Sequence, residues 1–144
     1  MELTTPIMIV EDDRDDQAFL HKALADLQID NPIVLCHNGV EALTYLTSGE
    51  PMPFLIISDI NMPLMNGIQF RKRLIDDERL KKLHIPFVFL TTAGDPVTVS
   101  IAYKLSVQGF FEKSHTFSEF REQISQIINY WKASLYPKSV AQHA

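Results

Sequence analysis

The chain has 144 residues, 46% hydrophobic and 22% charged, which suits one globular domain and would crowd two packed cores. A net charge of -5 argues against a general nucleic-acid surface, though not against a local basic patch. The lone Cys36 excludes an internal disulfide, Met1 to Pro6 carries no secretory signal, and no apolar run reaches a membrane span, so a reducing, cytoplasmic setting is expected.

Ile7-Met8-Ile9-Val10 is a short, β-branched run that stops at Glu11-Asp12-Asp13, a buried strand feeding a helix with Leu20, Leu24 and Leu27 at helical spacing. Ile33 to Cys36 predicts a second strand. Asn38 and Glu41 have capping-box spacing, so a helix with Leu43 and Leu46 starts there. Phe54 to Ile57 predicts a third strand, ending at Ser58-Asp59, and a helix with Phe70, Leu74 and Ile75 follows Pro63 and Gly67. Pro86 to Leu90 predicts the fourth strand, running into Thr91-Thr92. Asp95-Pro96 is a cap followed by proline at the first helical position, with Val97, Ile101 and Leu105 as the expected inner face. Gly109-Phe110-Phe111 predicts a fifth strand closed by Lys113. Thr116 and Glu119 repeat the capping-box spacing before Phe120, Ile124, Ile127 and Trp131.

Strands that are apolar throughout are covered on both faces, which predicts an α/β fold with a parallel sheet between helix layers. The domain is expected over residues 1–133, and Ser134 to Ala144 as a loosely ordered tail. Ligands of such sheets bind beyond the carboxyl ends of the strands. Glu11, Asp12, Asp59, Thr92 and Lys113 fall there. Clustered carboxylates require a cation or a proton, and oxygen donors without Cys or His point to Mg²⁺. A metal, a lysine and a hydroxyl around a carboxylate nucleophile are the parts of a phosphoryl-transfer site.

The segments Ile9 to Asp13, Ser58 to Pro63 with Asn66-Gly67, Leu90 to Ala93, and Phe110 to Lys113 together resemble the receiver domains of response regulators, in order and over nearly the whole chain. The resemblance implies a flavodoxin-like (βα)5 doubly wound fold with strand order 2-1-3-4-5. It implies Asp59 as phosphoacceptor, with Thr92 and Lys113 contacting the phosphoryl group. It implies Mg²⁺ held by Asp12 directly, Glu11 through water, Asp59 and the Asn61 carbonyl. Phe110 falls at the family's switch aromatic, coupled to Thr92, with output through the fourth helix, fifth strand and last helix. Within the family, the Asp76 to Lys82 segment and Tyr130-Trp131 resemble stand-alone regulators such as the cyanobacterial phytochrome partners.

The implied protein is a signalling switch and not an enzyme acting on a separate substrate. Its partners would be a histidine kinase or histidine phosphotransfer protein, an unidentified downstream protein, and a second copy of itself as one candidate. Neither nucleic acid nor membrane is expected. A phosphatase of the haloacid dehalogenase type is disfavoured because Asn61 stands where its second acid belongs. Asp15 and Asp16 are read as helix N-terminal charges and Asp13 as a cap. The five histidines lack metal-ligand spacing.

One departure bears on the site. The family commonly has proline after the lysine, often with a cis bond; here Ser114 stands there. A cis Lys-Ser bond would cost roughly 2.5–4 kcal/mol, so a trans bond is expected, with Lys113 still reaching Asp59.

Overall fold

Strands β1 (Ile7–Val10), β2 (Ile33–Cys36), β3 (Leu55–Ser58), β4 (Phe87–Thr91) and β5 (Gly109–Glu112) form one sheet in the order β2-β1-β3-β4-β5. Every pairing is parallel. The computed structural model describes residues 5–135. Helices α1 (Arg14–Asp26), α2 (Gly39–Leu46), α3 (Gly67–Asp76), α4 (Glu78–Lys81), α5 (Pro96–Lys104) and α6 (Phe117–Ala133) cover the sheet. Nine residues of the expected tail, 136–144, lie outside the described residues. No helix among the described residues is long and apolar enough to cross a membrane.

The sheet divides its side chains by parity. Ile7, Ile9, Leu55, Ile57, Val88 and Leu90 pack with Leu20, Ala23 and Leu24 of α1 and Phe120, Ile124, Ile127 and Ile128 of α6. Met8, Val10, Ile56, Phe87 and Phe89 face the other layer, meeting Ala42 and Leu46 of α2, Phe70 and Leu74 of α3, Leu80 of α4 and Ala102 of α5. An aromatic row runs through this second core, from Phe70 to Phe87, Phe89 and Phe110, at centroid distances of 5.6, 5.0 and 5.9 Å.

Several local expectations are corrected. The third and fourth strands begin one residue later than the apolar runs suggested. The short α4 occupies the segment before β4, where Asp77 caps it by accepting from the Arg79 and Leu80 N–H groups. Asn38 does cap α2, accepting from Glu41 N at 3.0 Å, but the Glu41 carboxylate turns to the His37 backbone N–H and ring instead of closing the box. Thr116 caps α6 with no return bond from Glu119 among the described residues. The reciprocal box is at α3, where Asn66 and Gln69 exchange bonds of 2.8 and 2.9 Å.

The expected inner face of α5 is also overturned. Val97 is 68% and Ile101 43% exposed, Leu105 is half-buried, and only Ala102 is buried. The helix is short, and the small Ala102 sets its contact with the sheet, so the branched residues turn outward.

Candidate functional site

The strand ladder continues one residue past β1, β3 and β5. Glu11 N–H donates to Cys36 O, Asp59 N–H to Val10 O and Lys113 N–H to Thr91 O, each at 2.8–2.9 Å. The backbone of these three residues is therefore set by the sheet. Parity then places their side chains together: Glu11 extends the Ile7–Ile9 row, Asp59 the Leu55–Ile57 row and Lys113 the Gly109–Phe111 row. All three are buried.

Lys113 Nζ is the centre of the cluster. It donates to Glu11 Oε1 at 2.7 Å, Asp16 Oδ2 at 2.7 Å and Asp59 Oδ2 at 2.9 Å. Asp59 Oδ1 accepts from the Ile60 N–H at 2.6 Å, and the Ser58 hydroxyl donates to Asp59 O at 2.7 Å. Glu11 Oε2 accepts from the Asp13 N–H at 3.2 Å. The Lys113-Ser114 bond is trans, since no described peptide bond is cis, and Lys113 reaches Asp59 as expected.

Asp16 is the member that the sequence reading missed. Asp13 caps α1 by accepting from the Asp16 N–H at 2.9 Å. That places Asp16 one turn into the helix, where its carboxylate meets a lysine 97 residues away. The available signal was its position at the third helical residue after an acidic strand end. Asp12, expected among the ligands, falls on the opposite strand parity and is half-buried, without a side-chain hydrogen bond or ion pair among the described residues. Thr92 follows β4 and is exposed, as is Asn61. The strand-terminal hydroxyl of Thr91 accepts from the Ala93 N–H at 3.2 Å.

Close approach of α3 shapes the loop after Asp59. The Gly67 N–H donates to Ile60 O at 2.8 Å, and a Cβ at Gly67 would collide with the Asp59 carbonyl oxygen and the Phe89 ring. Glycine is required there by space.

The electrostatics follow from burial. Desolvation pushes the Glu11 carboxyl up to about 7; the Asp59 charge adds to the rise and Lys113 opposes it. Burial acts to lower the Lys113 value, but the bonds to Asp16 and Glu11 and the charges of Glu11 and Asp59 outweigh it, so the ammonium is held above the ordinary lysine range. One oxygen from each of Glu11, Asp16 and Asp59 lies within 4.8 Å of the others. Three carboxylates face one ammonium, and all donors are hard oxygens. This set fits a small divalent cation.

Comparison with known families gives a match to the response regulator receiver domain over residues 7–125. The chain belongs to this family. It is 28% identical over 130 residues to the response regulator Rcp1 of Synechocystis sp., covering 87% of each chain. The solved structure of the phosphorylated cyanobacterial phytochrome response regulator RcpA superposes with a TM-score of 0.85 at 27% identity, covering 94% of this chain and 99% of that one. The Mn²⁺-bound form of Rcp1 gives a TM-score of 0.82 at 26% identity, covering 93% and 99%. The flavodoxin-like strand order expected from the resemblance is the one observed. This receiver thus presents an acidic cluster with a central lysine at the carboxyl ends of its strands.

Proposed function

We propose that this receiver, spanning residues 1–133, takes a phosphoryl group onto Asp59 from a phosphohistidine of a histidine kinase or phosphotransfer protein and thereby switches its binding to a downstream protein. The observation that carries the reading is the Lys113 ammonium, buried and bonded to Asp59 Oδ2 among two further carboxylates. An Asp59 oxygen attacks phosphorus as the P–N bond breaks, and the electron pair leaves on the donor imidazole nitrogen. Lys113 can then move its bonds from carboxylates to phosphoryl oxygen without leaving the site, because its stem is flexible. Thr92, exposed just after β4, supplies a hydroxyl to the same group.

Mg²⁺ is the proposed cation, held by Glu11, Asp59, Asp12 and the Asn61 carbonyl, with Asp16 added by its place in the cluster. When bound, it neutralises charge on the phosphoryl oxygens. The cytoplasm is the proposed compartment. Output runs through α5, β5 and α6: movement of Thr92 toward the phosphoryl group opens space for Phe110, whose half-buried ring abuts Phe89.

The test is mass spectrometry after incubation with acetyl phosphate and Mg²⁺, with hydroxylamine trapping to locate the modified residue. The label is expected on Asp59 and absent from folded Asp59→Asn. Undiminished labelling of that variant refutes the assignment.

A further inference from the structure

Lys113 has to be aimed as well as charged. A lysine stem carries four rotatable bonds, so its Cα–Cβ direction does not fix the head but sets the region that the head can reach. That direction is set by the two peptide groups flanking the Lys113 Cα. The Glu112–Lys113 peptide is held on both sides: its N–H donates to Thr91 O at 2.9 Å, and its C=O accepts from Gln123 Nε2 at 2.6 Å. The Lys113–Ser114 peptide is held through its N–H, which donates to Gln123 Oε1 at 3.1 Å. One carboxamide thus brackets Lys113 from residue 112 to residue 114.

The orientation of that carboxamide is forced. A backbone N–H can only donate and a carbonyl can only accept, so the Gln123 oxygen must face Ser114 and its nitrogen Glu112. A carboxamide presents its acceptor and donor side by side in one plane, and asparagine, the other residue with that group, is one methylene shorter. Gln123 itself is fixed because the adjacent Ile124 and the nearby Phe120 of α6 are buried in the core beside β4 and α1. Ser114 matters equally, since it supplies the N–H that a proline would lack.

We infer that Gln123 is a positioning residue for phosphoryl transfer, clamping the peptide groups on either side of Lys113 so that its ammonium is directed at Asp59. The inference deepens the proposed function and rests on it for the chemistry, but the aim of Lys113 can be measured separately. The competing account is that Gln123 merely satisfies backbone groups at the end of β5, in which case its loss would act on stability and not through Lys113.

The experiment follows Asp59 labelling by acetyl phosphate and Mg²⁺ in the full chain, for wild type, Gln123→Ala, Lys113→Ala and the double variant. Melting midpoints are recorded alongside. Gln123→Ala is expected to slow labelling about tenfold, the lower end of what outer-shell partners contribute, and to add no further slowing in the Lys113→Ala background. Equal slowing in both backgrounds, or a wild-type rate for Gln123→Ala, overturns the inference. Gln123→Glu keeps the acceptor for Ser114 and loses the donor to Glu112, so it should fall between; it serves also if the alanine variant does not fold.

A second reading needs no phosphodonor. The side-chain ammonium resonance of Lys113, observed by NMR, should be distinct in the wild type and move toward those of exposed lysines in Gln123→Ala. An unmoved resonance overturns the clamp. If the resonance moves while wild type takes no label, the clamp stands and the phosphoacceptor reading fails.

Discussion

Helices α1 and α5 invite comparison, because each follows a strand that ends at the site and each is capped by an aspartate, Asp13 and Asp95. Their packing differs sharply. Helix α1 buries Leu20, Ala23 and Leu24, and its Phe19 ring meets Phe117 and Phe120 of α6 at 5.6 and 6.0 Å. Helix α5 buries Ala102 alone and shows Val97, Ile101 and Tyr103 to solvent. The charged frame of Glu11, Asp16 and Lys113 is thus built on the firm layer, whereas Thr92 leads into the lightly held helix. A fixed set of charges beside a loosely anchored helix suits a site that must stay aimed while its surroundings move.

The widest gap should appear in stability. Truncating Phe120, in the core between α1 and α6, should cost about 3–5 kcal/mol, while Ile101→Ala on the open face of α5 should stay within about 0.5 kcal/mol. Urea unfolding of both variants checks this, and similar losses would erase the contrast between the layers.

Next in size is a pH effect inside the frame. The folded value of Glu11, about 7, lies above its ordinary value of 4.5. The folded state therefore favours the protonated form, and the contribution of Glu11 to stability falls as pH rises from about 4.5 to about 7. Glu11→Gln cannot ionise, so at pH 8, without divalent cations, it should exceed wild type by on the order of 1–3 kcal/mol. The advantage should vanish below about pH 4.5. Denaturant titrations at several pH values test the sign; an advantage that grows on acidification would contradict it.

A smaller readout sharpens the dynamic side of the comparison. Beryllofluoride with Mg²⁺ should shift NMR signals of Thr92, Phe110 and the residues around Tyr103, and leave those of buried α1 residues such as Ala23 nearly unmoved. Shifts confined to the neighbours of Asp59 would mean that α5 does not follow the site.

The least effect is expected at Cys36. Burial pushes its thiol up to about 11, with Glu41 adding to the rise. Thiol reagents at pH 8 should leave the native protein unlabelled over the time in which the unfolded chain reacts completely. Rapid native labelling would show that the end of β2 opens readily.

Much of the fold was legible because its signals are local. Short β-branched runs mark buried strands, and Asp13, Asn38, Asp95 and Thr116 announce helix starts through bonds that span only three residues. Glu11, Asp59 and Lys113 each follow an apolar run, so their gathering at the carboxyl pole of the sheet was legible in the sequence, whereas their common face follows from the strand register. Contacts between elements distant in the chain were decided only by the tertiary structure. Asp16 joins the cluster because the Lys113 side chain reaches from the end of β5 to the first turn of α1, a juxtaposition that helix periodicity cannot encode. The apolar spacing of Val97, Ile101 and Leu105 states that a face exists, but burial of Ala102 decides which face turns inward. The Gln123 clamp likewise depends on where α6 crosses the end of β5: a polar residue on a helix declares its donors and acceptors, and only packing selects their partners.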